Sequence, residues 1–166
     1  MKYFKAVRKR KFSLCDFDIC DYKLIGIHSQ LEPHKLAYLI NSKLGISFKR
    51  MEKDLDLKLA AKTVSFPIFE YFNQEWDTKS FLIINKVNEH YMDIPSSNLF
   101  AEEDLVQIEY LLKNHKRVDY LMKINDELDI FSSDIIIDKL TRINQISMAY
   151  AIESKAIKHP EHLILE

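Results

Sequence analysis

Residues 111–124 read LLKNHKRVDYLMKI and form the most informative stretch of the chain. An apolar pair runs into a basic cluster, after which every second residue from Val118 onward is apolar, the period of a strand. Asp119 stands inside this alternation, between two apolar neighbours. Because an unpaired buried charge is costly, this aspartate predicts a partner elsewhere in the fold.

Two segments on the N-terminal side predict a strand followed by a helix. Residues 22–28, YKLIGIH, are rich in apolar and β-branched residues, as buried strands are. Pro33 suits the first turn of a helix, because its missing amide hydrogen would have no partner there. Gly45 suits the left-handed residue that ends a helix. The apolar residues between them recur at helical spacing: Leu36, Leu39, Ile40 and Leu44.

The middle of the chain predicts antiparallel strands. Residues 46–51 and 54–59 alternate apolar with polar side chains, the period of half-buried strands. Residues 64–72 and 81–87 are aromatic and β-branched, and the polar, turn-like segment between them predicts a hairpin. Pro67 lies inside the first of these runs and cannot donate a ladder hydrogen bond, so it predicts an edge position or a bulge.

The C-terminal part predicts a second helix and a closing strand. Residues 102–112 fit either a helix or a strand. Ser133 can cap a helix whose apolar face includes Ile136, Leu140 and Ile143, and residues 147–152 follow as a strand. The order β-α-β, several antiparallel strands and β-α-β predicts an α+β fold. We expect a mixed, largely antiparallel sheet with two main helices packed on one face, a two-layer sandwich.

Length and composition limit the class of protein. The 166 residues fit one domain, predicted over 12–152, with a basic arm at 1–11 and a tail at 153–166. The net charge of −1 creates no overall field that would attract nucleic acid or membranes. We expect no signal peptide, because no apolar core follows the basic first residues, and no membrane span, because no apolar run approaches ~20 residues. With Cys15 and Cys20 interpreted as reduced thiols, these features predict a cytoplasmic protein.

Several segments are similar to the bacterial IPExxxVDY family, a group of small proteins without an established activity. Val118-Asp119-Tyr120, followed by Leu121 and Lys123-Ile124, resembles the second half of the family's signature motif. Where the family reads Ile-Pro-Glu, this chain has Leu112-Lys113-Asn114. Either any proton chemistry of that glutamate is lost here, or the position is structural and tolerates the change. The similarity covers most of the chain from Tyr22 to the end, with further matches at Lys43-Leu44-Gly45, Phe48-Lys49-Arg50, Phe69-Glu70-Tyr71, residues 143–150 and Leu163-Ile164-Leu165.

Asp119 leads a small group of candidate ligand or partner contacts. In one interpretation, the cations that precede it in the chain stabilise its charged form for binding. In the structural interpretation, which the sequence favours, it is exposed on its strand or forms an ion pair with Lys49 or Arg50. Acid–base catalysis would need a second acid or a nucleophile, and none accompanies it in the sequence. The candidate contacts are Asp119, Tyr120, Arg117, Lys116, Lys49 and Arg50.

The sequence predicts no reaction centre. The two glycines, Gly26 and Gly45, cannot build the glycine-rich loops that hold phosphates. His159 and His162 have a spacing that would suit two metal ligands, but Pro160 lies between them and no third ligand is near in sequence. Zinc sites usually need three or four protein ligands. We therefore predict no metal, no cofactor and no catalytic residue.

Three functions remain open. The favoured one is a non-catalytic protein-interaction or adaptor domain that acts as a homodimer, since many strands and few glycines suit packing better than ligand binding. The second is a small-molecule-sensing regulatory domain, because the predicted helix that ends at Ile143 and the following Ser147-Met148-Ala149-Tyr150 loosely resemble the α-β half of ACT-type domains. The third is RNA binding by the basic arm together with the basic cluster at 113–117, with nucleic-acid contacts in the arm at Lys5, Arg8, Lys9, Arg10 and Lys11.

Overall fold

The computed structural model describes residues 22–59, 62–91, 105–127 and 129–165. Within these ranges the chain forms ten β-strands, two α-helices and three short 3₁₀ turns. The 3₁₀ turns are Lys113–His115, Ser154–Ala156 and Pro160–Leu163. In chain order the strands and helices are β1 (Tyr22–His28), α1 (Pro33–Leu44), β2 (Lys49–Arg50), β3 (Leu55–Lys58), β4 (Thr63–Phe66), β5 (Ile68–Asn73), β6 (Thr78–Ile84), β7 (Lys86–Tyr91), β8 (Leu105–Tyr110), β9 (Tyr120–Asn125), α2 (Ser133–Thr141) and β10 (Met148–Ile152).

Six of these strands form one antiparallel sheet with the order β10-β1-β9-β6-β5-β2. β1 lies inside the sheet, and its Gly26 pairs with Leu121 of β9 on one side and Tyr150 of β10 on the other. β3 with β4, and β7 with β8, form separate two-stranded sheets. The predicted α+β fold with a largely antiparallel sheet is confirmed, and its two β-α-β units are β1-α1-β2 and β9-α2-β10.

Helix α1 forms where the sequence predicts it. Pro33 is the first helical residue, and Ile40 is fully buried on the face toward the sheet. Gly45 follows with φ of 69°, a left-handed conformation that glycine adopts without a steric penalty. The Asn41 side chain then fixes the next turn of the chain. Its Nδ2 donates to the Phe48 carbonyl oxygen at 3.1 Å, and its Oδ1 accepts from the Phe48 amide at 2.7 Å.

Helix α2 starts one residue earlier than the sequence predicts, because its N-cap is Ser132 and not Ser133. Ser132 holds the N-cap position without a side-chain capping hydrogen bond, so Ser133 is the first helical residue and not the cap. Leu140 is fully buried, and Ile143 beyond the helix end continues the apolar face into the core. The closing strand predicted over 147–152 is present as β10.

Both helices pack on one face of the six-stranded sheet, as predicted. Burying one leucine or isoleucine there contributes roughly 1.5–3 kcal/mol relative to leaving it exposed. No helix in the described part of the chain combines the length and the apolar composition needed to cross a lipid bilayer. The first core, between helices and sheet, contains Ile25, Ile27, Leu36, Ala37, Ile40, Phe48, Phe69, Leu82, Ile84, Tyr120, Met122, Ile124, Leu140, Ile143, Ile146 and Ala149.

The opposite face of the sheet carries a second core, which a two-layer description omits. Its outer side chains come from β4, from the segment after β8 and from the chain after β10. Residues 153–166, predicted as a tail, therefore contribute Ile157 and Leu163 to buried packing. The second core contains Leu24, Val64, Phe66, Ile68, Phe81, Ile83, Leu111, Leu112, Val118, Leu121, Ile152, Ile157 and Leu163.

Pro67 divides the first predicted hairpin strand into two strands that join different sheets. Before it, β4 pairs with β3; after it, β5 pairs with β6. The predicted hairpin is therefore present between β5 and β6, but residues 64–66 do not belong to it, because the proline interrupts the ladder.

The strand predicted over 46–51 is shorter in the structure. Only Lys49–Arg50 is extended and paired, as β2.

The chain changes faces of the sheet at Asp119. From Tyr120 onward every second side chain enters the first core, as the alternation predicts, whereas Val118 packs in the second core.

Residues 102–112 fit either a helix or a strand by sequence. In the structure Leu105–Tyr110 form a strand, β8.

Gly26→Val is expected to lower the free energy of unfolding by about 1–3 kcal/mol, because the position has no room for a side chain. A Cβ at Gly26 would lie 3.0 Å from Ile152 Cδ1 and 3.2 Å from Val118 Cγ2. Urea denaturation followed by circular dichroism measures the change. Thr63→Val, at an exposed position of β4, is the control for introducing valine into a strand. Equal stability of the two variants would contradict close packing of Val118 and Ile152 over β1.

Candidate functional site

A buried asparagine organises residues 111–119, the segment between β8 and β9 that is here called the 111–119 loop. Asn85 is fully buried at the junction of β6 and β7. Its Nδ2 donates to the carbonyl oxygens of His115 at 2.9 Å and Val118 at 2.8 Å. Its Oδ1 accepts from the Leu112 amide at 2.9 Å. The side chain therefore supplies the hydrogen bonds that the backbone of this irregular loop needs in a buried position.

The main chain of Asn85 holds the two ends of the same loop. Its amide donates to the Asp119 carbonyl oxygen at 2.9 Å, and its carbonyl oxygen accepts from the Leu111 amide at 2.8 Å. Asn85 is not among the residues predicted from the sequence. A signal for it exists, because it is a polar residue at the end of the apolar run Phe81-Leu82-Ile83-Ile84.

Asp119 joins three elements through its two carboxylate oxygens. Its Oδ2 accepts from the Ser29 amide at 2.9 Å, just after β1, and its Oδ1 forms an ion pair with Lys86 of β7. The side chain is 13% exposed, so the pair lies at the edge of the protein interior. The ion-pair partner is thus Lys86 and not Lys49 or Arg50, because β6 and β5 separate β9 from β2 in the sheet.

Tyr120 acts as a buried hydrogen-bond donor. Its hydroxyl donates to the Leu31 carbonyl oxygen in the connection between β1 and α1. Burial, reinforced by the negative charges of Asp119 and Glu32, raises the pKa of the Tyr120 hydroxyl to about 12. The hydroxyl therefore stays protonated at physiological pH, where it fixes the start of α1.

Lys49 and Arg50 lie on the short edge strand β2, away from Asp119. The Arg50 guanidinium donates to the Met51 carbonyl oxygen at 2.6 Å and forms an ion pair with Asp54. Lys49 is exposed. These contacts are local to the sheet edge, so the structure divides the six candidate contacts into two separate groups.

The remaining candidate cations are exposed in the 111–119 loop. The Lys116 ammonium lies 5.7 Å from the centre of the Tyr110 ring, close enough for a cation–π interaction. Arg117 is exposed beside it. The predicted nucleic-acid contacts in the arm at 1–11 lie outside the described residues: Lys5, Arg8, Lys9, Arg10 and Lys11.

A cavity of about 230 Å³ lies between the 111–119 loop and the chain after β10. His115 lines it from the loop, and His159 and His162 line it from the residues near the C-terminus. His159 Nδ1 lies 2.9 Å from Glu161 Oε1. His162 Nδ1 lies 3.2 Å from the Leu111 carbonyl oxygen. The histidine pair noted in the sequence thus has neighbours from a distant part of the chain, which its spacing alone could not reveal.

Lys123 is a buried cation on the face of the second core. Its ammonium donates to the Leu163 carbonyl oxygen at 2.8 Å and lies 4.8 Å from the centre of the Tyr22 ring. Burial lowers the pKa of Lys123, since surroundings of low dielectric constant disfavour the charged form. The contact attaches the C-terminal residues to the central strand β9.

The polar side chains described here mainly hold segments of the chain together. Asp119 bonds a backbone amide and a lysine, Tyr120 bonds a carbonyl oxygen, and Asn85 bonds the loop backbone. Compared with known proteins, the chain matches no protein-family model, no curated protein and no solved structure.

Asn85→Asp is expected to lower the free energy of unfolding by about 3 kcal/mol or more. A carboxylate at this position would face the His115 and Val118 carbonyl oxygens without a hydrogen to donate. Asn88→Asp is the matched control, because it makes the same substitution at an exposed residue of β7. Urea denaturation at neutral pH compares the two. If both variants are equally stable, Asn85 does not organise the 111–119 loop.

Lys123→Met is expected to remove a contribution to stability that grows as the pH rises into the alkaline range. The pKa of Lys123 is lowered from 10.5 in the folded chain, so the unfolded chain binds the proton more tightly. The contribution of Lys123 to the free energy of unfolding therefore rises as the pH increases from the lowered pKa toward 10.5. Thermal unfolding at about pH 7 and about pH 9.5 measures the difference. The same pH dependence in both proteins would contradict the burial of a charged ammonium.

Proposed function

We propose that this chain is a non-catalytic protein-interaction domain that assembles with a second copy of itself through the outer edge of β10. The chemistry of that edge carries the proposal. β10 reads MAYAI, lies at the end of the six-stranded sheet, and has β1 as its neighbour within the described residues. A strand in this position exposes backbone donors and acceptors to which another strand can add.

The register with β1 identifies which backbone groups of β10 face outward. The His28 carbonyl oxygen accepts from the Ser147 amide at 2.9 Å, so His28 faces β10. The bonding direction alternates along an antiparallel strand, so Gly26 faces β10 as well. Tyr150, which pairs with Gly26, therefore directs its amide and carbonyl groups toward β1. The amide and carbonyl groups of the next residue, Ala151, point to the outer side of β10.

The two edges of the sheet differ in a way that supports assembly at β10. The β2 edge is two residues long and presents the exposed cations Lys49 and Arg50, and short, charged strands resist further pairing. The β10 edge spans five residues and contains no charged residue and no proline. On this proposal Lys49 and Arg50 protect one edge, while the other edge is left free for pairing.

A second copy of the chain fits the β10 edge. Two-fold symmetry would place the β10 strands of two copies side by side and antiparallel, so that each edge satisfies the other. Met148 at the start of β10 is 55% exposed, and Ile135 on α2, the helix that packs against β10, is 61% exposed. Met148 alternates with Tyr150 and Ile152 on the second-core face, and α2 packs on the other face, so the two exposed side chains flank the β10 edge on opposite faces of the sheet.

The alternative functions have less support. The cavity of about 230 Å³ is smaller than the roughly 300–1,000 Å³ of most ligand pockets, which weakens a small-molecule sensor of the ACT type. RNA binding would depend on Lys116 and Arg117 together with the predicted contacts of the arm. Membership of the IPExxxVDY family, bacterial origin and a cytoplasmic location remain predictions from the sequence.

Ala151→Pro is expected to convert a dimer into a monomer. Proline removes the outward-facing amide that a second β10 strand would need, and it costs no hydrogen bond to β1. Ala151→Ser, which keeps the amide, is the matched control and should remain dimeric. Size-exclusion chromatography with light scattering at micromolar concentration measures the mass, and circular dichroism confirms that both variants fold. A monomeric wild type, or a dimeric Ala151→Pro variant, would remove the proposed interface.

A further inference from the structure

Two neighbouring histidines near the C-terminus each have one ring nitrogen engaged. His159 Nδ1 lies 2.9 Å from a carboxylate oxygen of Glu161. His162 Nδ1 lies 3.2 Å from the carbonyl oxygen of Leu111. Because a carbonyl oxygen and a carboxylate only accept hydrogen bonds, both Nδ1 atoms carry the hydrogen. In the neutral imidazole each Nε2 atom then presents a lone pair.

This arrangement is the one that metal-binding histidines adopt. A histidine ligand usually donates its second ring N–H to a carboxylate or a backbone carbonyl, which fixes the ring and raises its basicity. The rings of His159 and His162 have centroids 5.1 Å apart and planes inclined by 17°. Together with Glu161, each places one potential ligand atom within 4.8 Å of the others. His115 is not a member of this group, and in the site inferred below Glu161 orients His159 instead of binding the ion. Side-chain rotations would be needed to bring three histidine Nε2 atoms to the separation of roughly 3.4 Å that ligands have around zinc.

His115 provides an independent observation from another part of the chain. It belongs to the 111–119 loop and lines the same cavity as His159 and His162. Its Nε2 atom is buried and makes no hydrogen bond with the described residues. A buried polar atom without a partner is unfavourable, and a rotation of the His115 ring toward the cavity would let a cation there satisfy it.

We infer that this cavity binds a divalent transition-metal ion, for which Zn²⁺ is best suited, through the Nε2 atoms of His115, His159 and His162. Three imidazoles with one further open position are a familiar ligand set for such ions. Glu161 and the Leu111 carbonyl oxygen would orient two of the rings. The ion would join the 111–119 loop to the C-terminal residues and would leave its fourth position open to water. The inference does not depend on assembly at β10.

Two lysines at the cavity suggest a competing ligand. Lys113 and Lys158 line the cavity and are exposed, so they could attract an anion such as phosphate. A metal ion is favoured because exposed lysine side chains can turn toward solvent, whereas hydrogen bonds hold the rings of His159 and His162 in place. Inorganic phosphate therefore serves as the comparison ligand in the test.

Isothermal titration calorimetry with ZnCl₂ on the full, untagged chain tests the inference. Cys15 and Cys20 are changed to serine in all samples, because thiolates would bind zinc by themselves. We expect one Zn²⁺ per chain. Binding should weaken about tenfold or more in each of His115→Gln, His159→Gln and His162→Gln.

Two further variants make the result specific. His34→Gln, at an exposed histidine of α1, is the matched control and should bind Zn²⁺ as tightly as the parent. Glu161→Gln should weaken Zn²⁺ binding by about 10–100-fold. Because Glu161 is exposed, this variant is expected to fold, so it tests the site even where a histidine variant fails to fold. Absence of Zn²⁺ binding by the parent, affinity unchanged in the cavity variants, or binding of phosphate without binding of Zn²⁺ would each overturn the inference.

Discussion

The side-chain amide of Asn85 is the interaction on which the rest of this structure depends. It places two donors and one acceptor against three backbone groups of the 111–119 loop, in a position fully shielded from water. A buried backbone group without a partner costs roughly 1–3 kcal/mol, so the loop can bury its apolar residues only while this amide is in place. The position of the loop in turn determines where β9 begins and which residues form one wall of the cavity.

Fixing this loop allows the chain to contribute to both cores within three residues. Val118 packs in the second core and Tyr120 in the first, and Asp119 lies between them at the boundary. A carboxylate at such a boundary is partly desolvated, and it is compensated there by the Ser29 amide and by Lys86. The aspartate that stands out in the sequence is thus explained by the change of face, which needs a residue that bonds neighbouring elements instead of packing in either core.

The sequence predicts those features whose causes lie within a few residues of one another. Helix α1 follows from Pro33, from apolar residues at helical spacing and from Gly45, and all of these signals act locally. The partners of Asn85 could not be predicted, because its side chain bonds carbonyl groups 30 and 33 positions away. Pro67 is intermediate, since its disruption of the ladder is local, but the pairing of β4 with β3 depends on packing over the second core. The candidate metal ligands divide in the same way: the spacing of His159 and His162 is visible in the sequence, whereas His115 joins them only through the fold.

The second core also connects the cavity to the β10 edge of the sheet. β10 ends in Ile152, which is buried in this core, and the chain continues to Ile157 and Leu163 in the same core. The Lys123 ammonium holds the Leu163 carbonyl oxygen against the central strand β9. Ordering a free strand at the moment of binding costs about 1–2 kcal/mol per residue in backbone entropy. Packing of the residues after β10 restrains this strand before any partner binds. Much of the backbone entropy is therefore lost during folding and not on binding. An edge restrained in this way is suited to the proposed pairing with another strand, and contacts that hold the C-terminal residues in place would favour that pairing although they lie away from the edge.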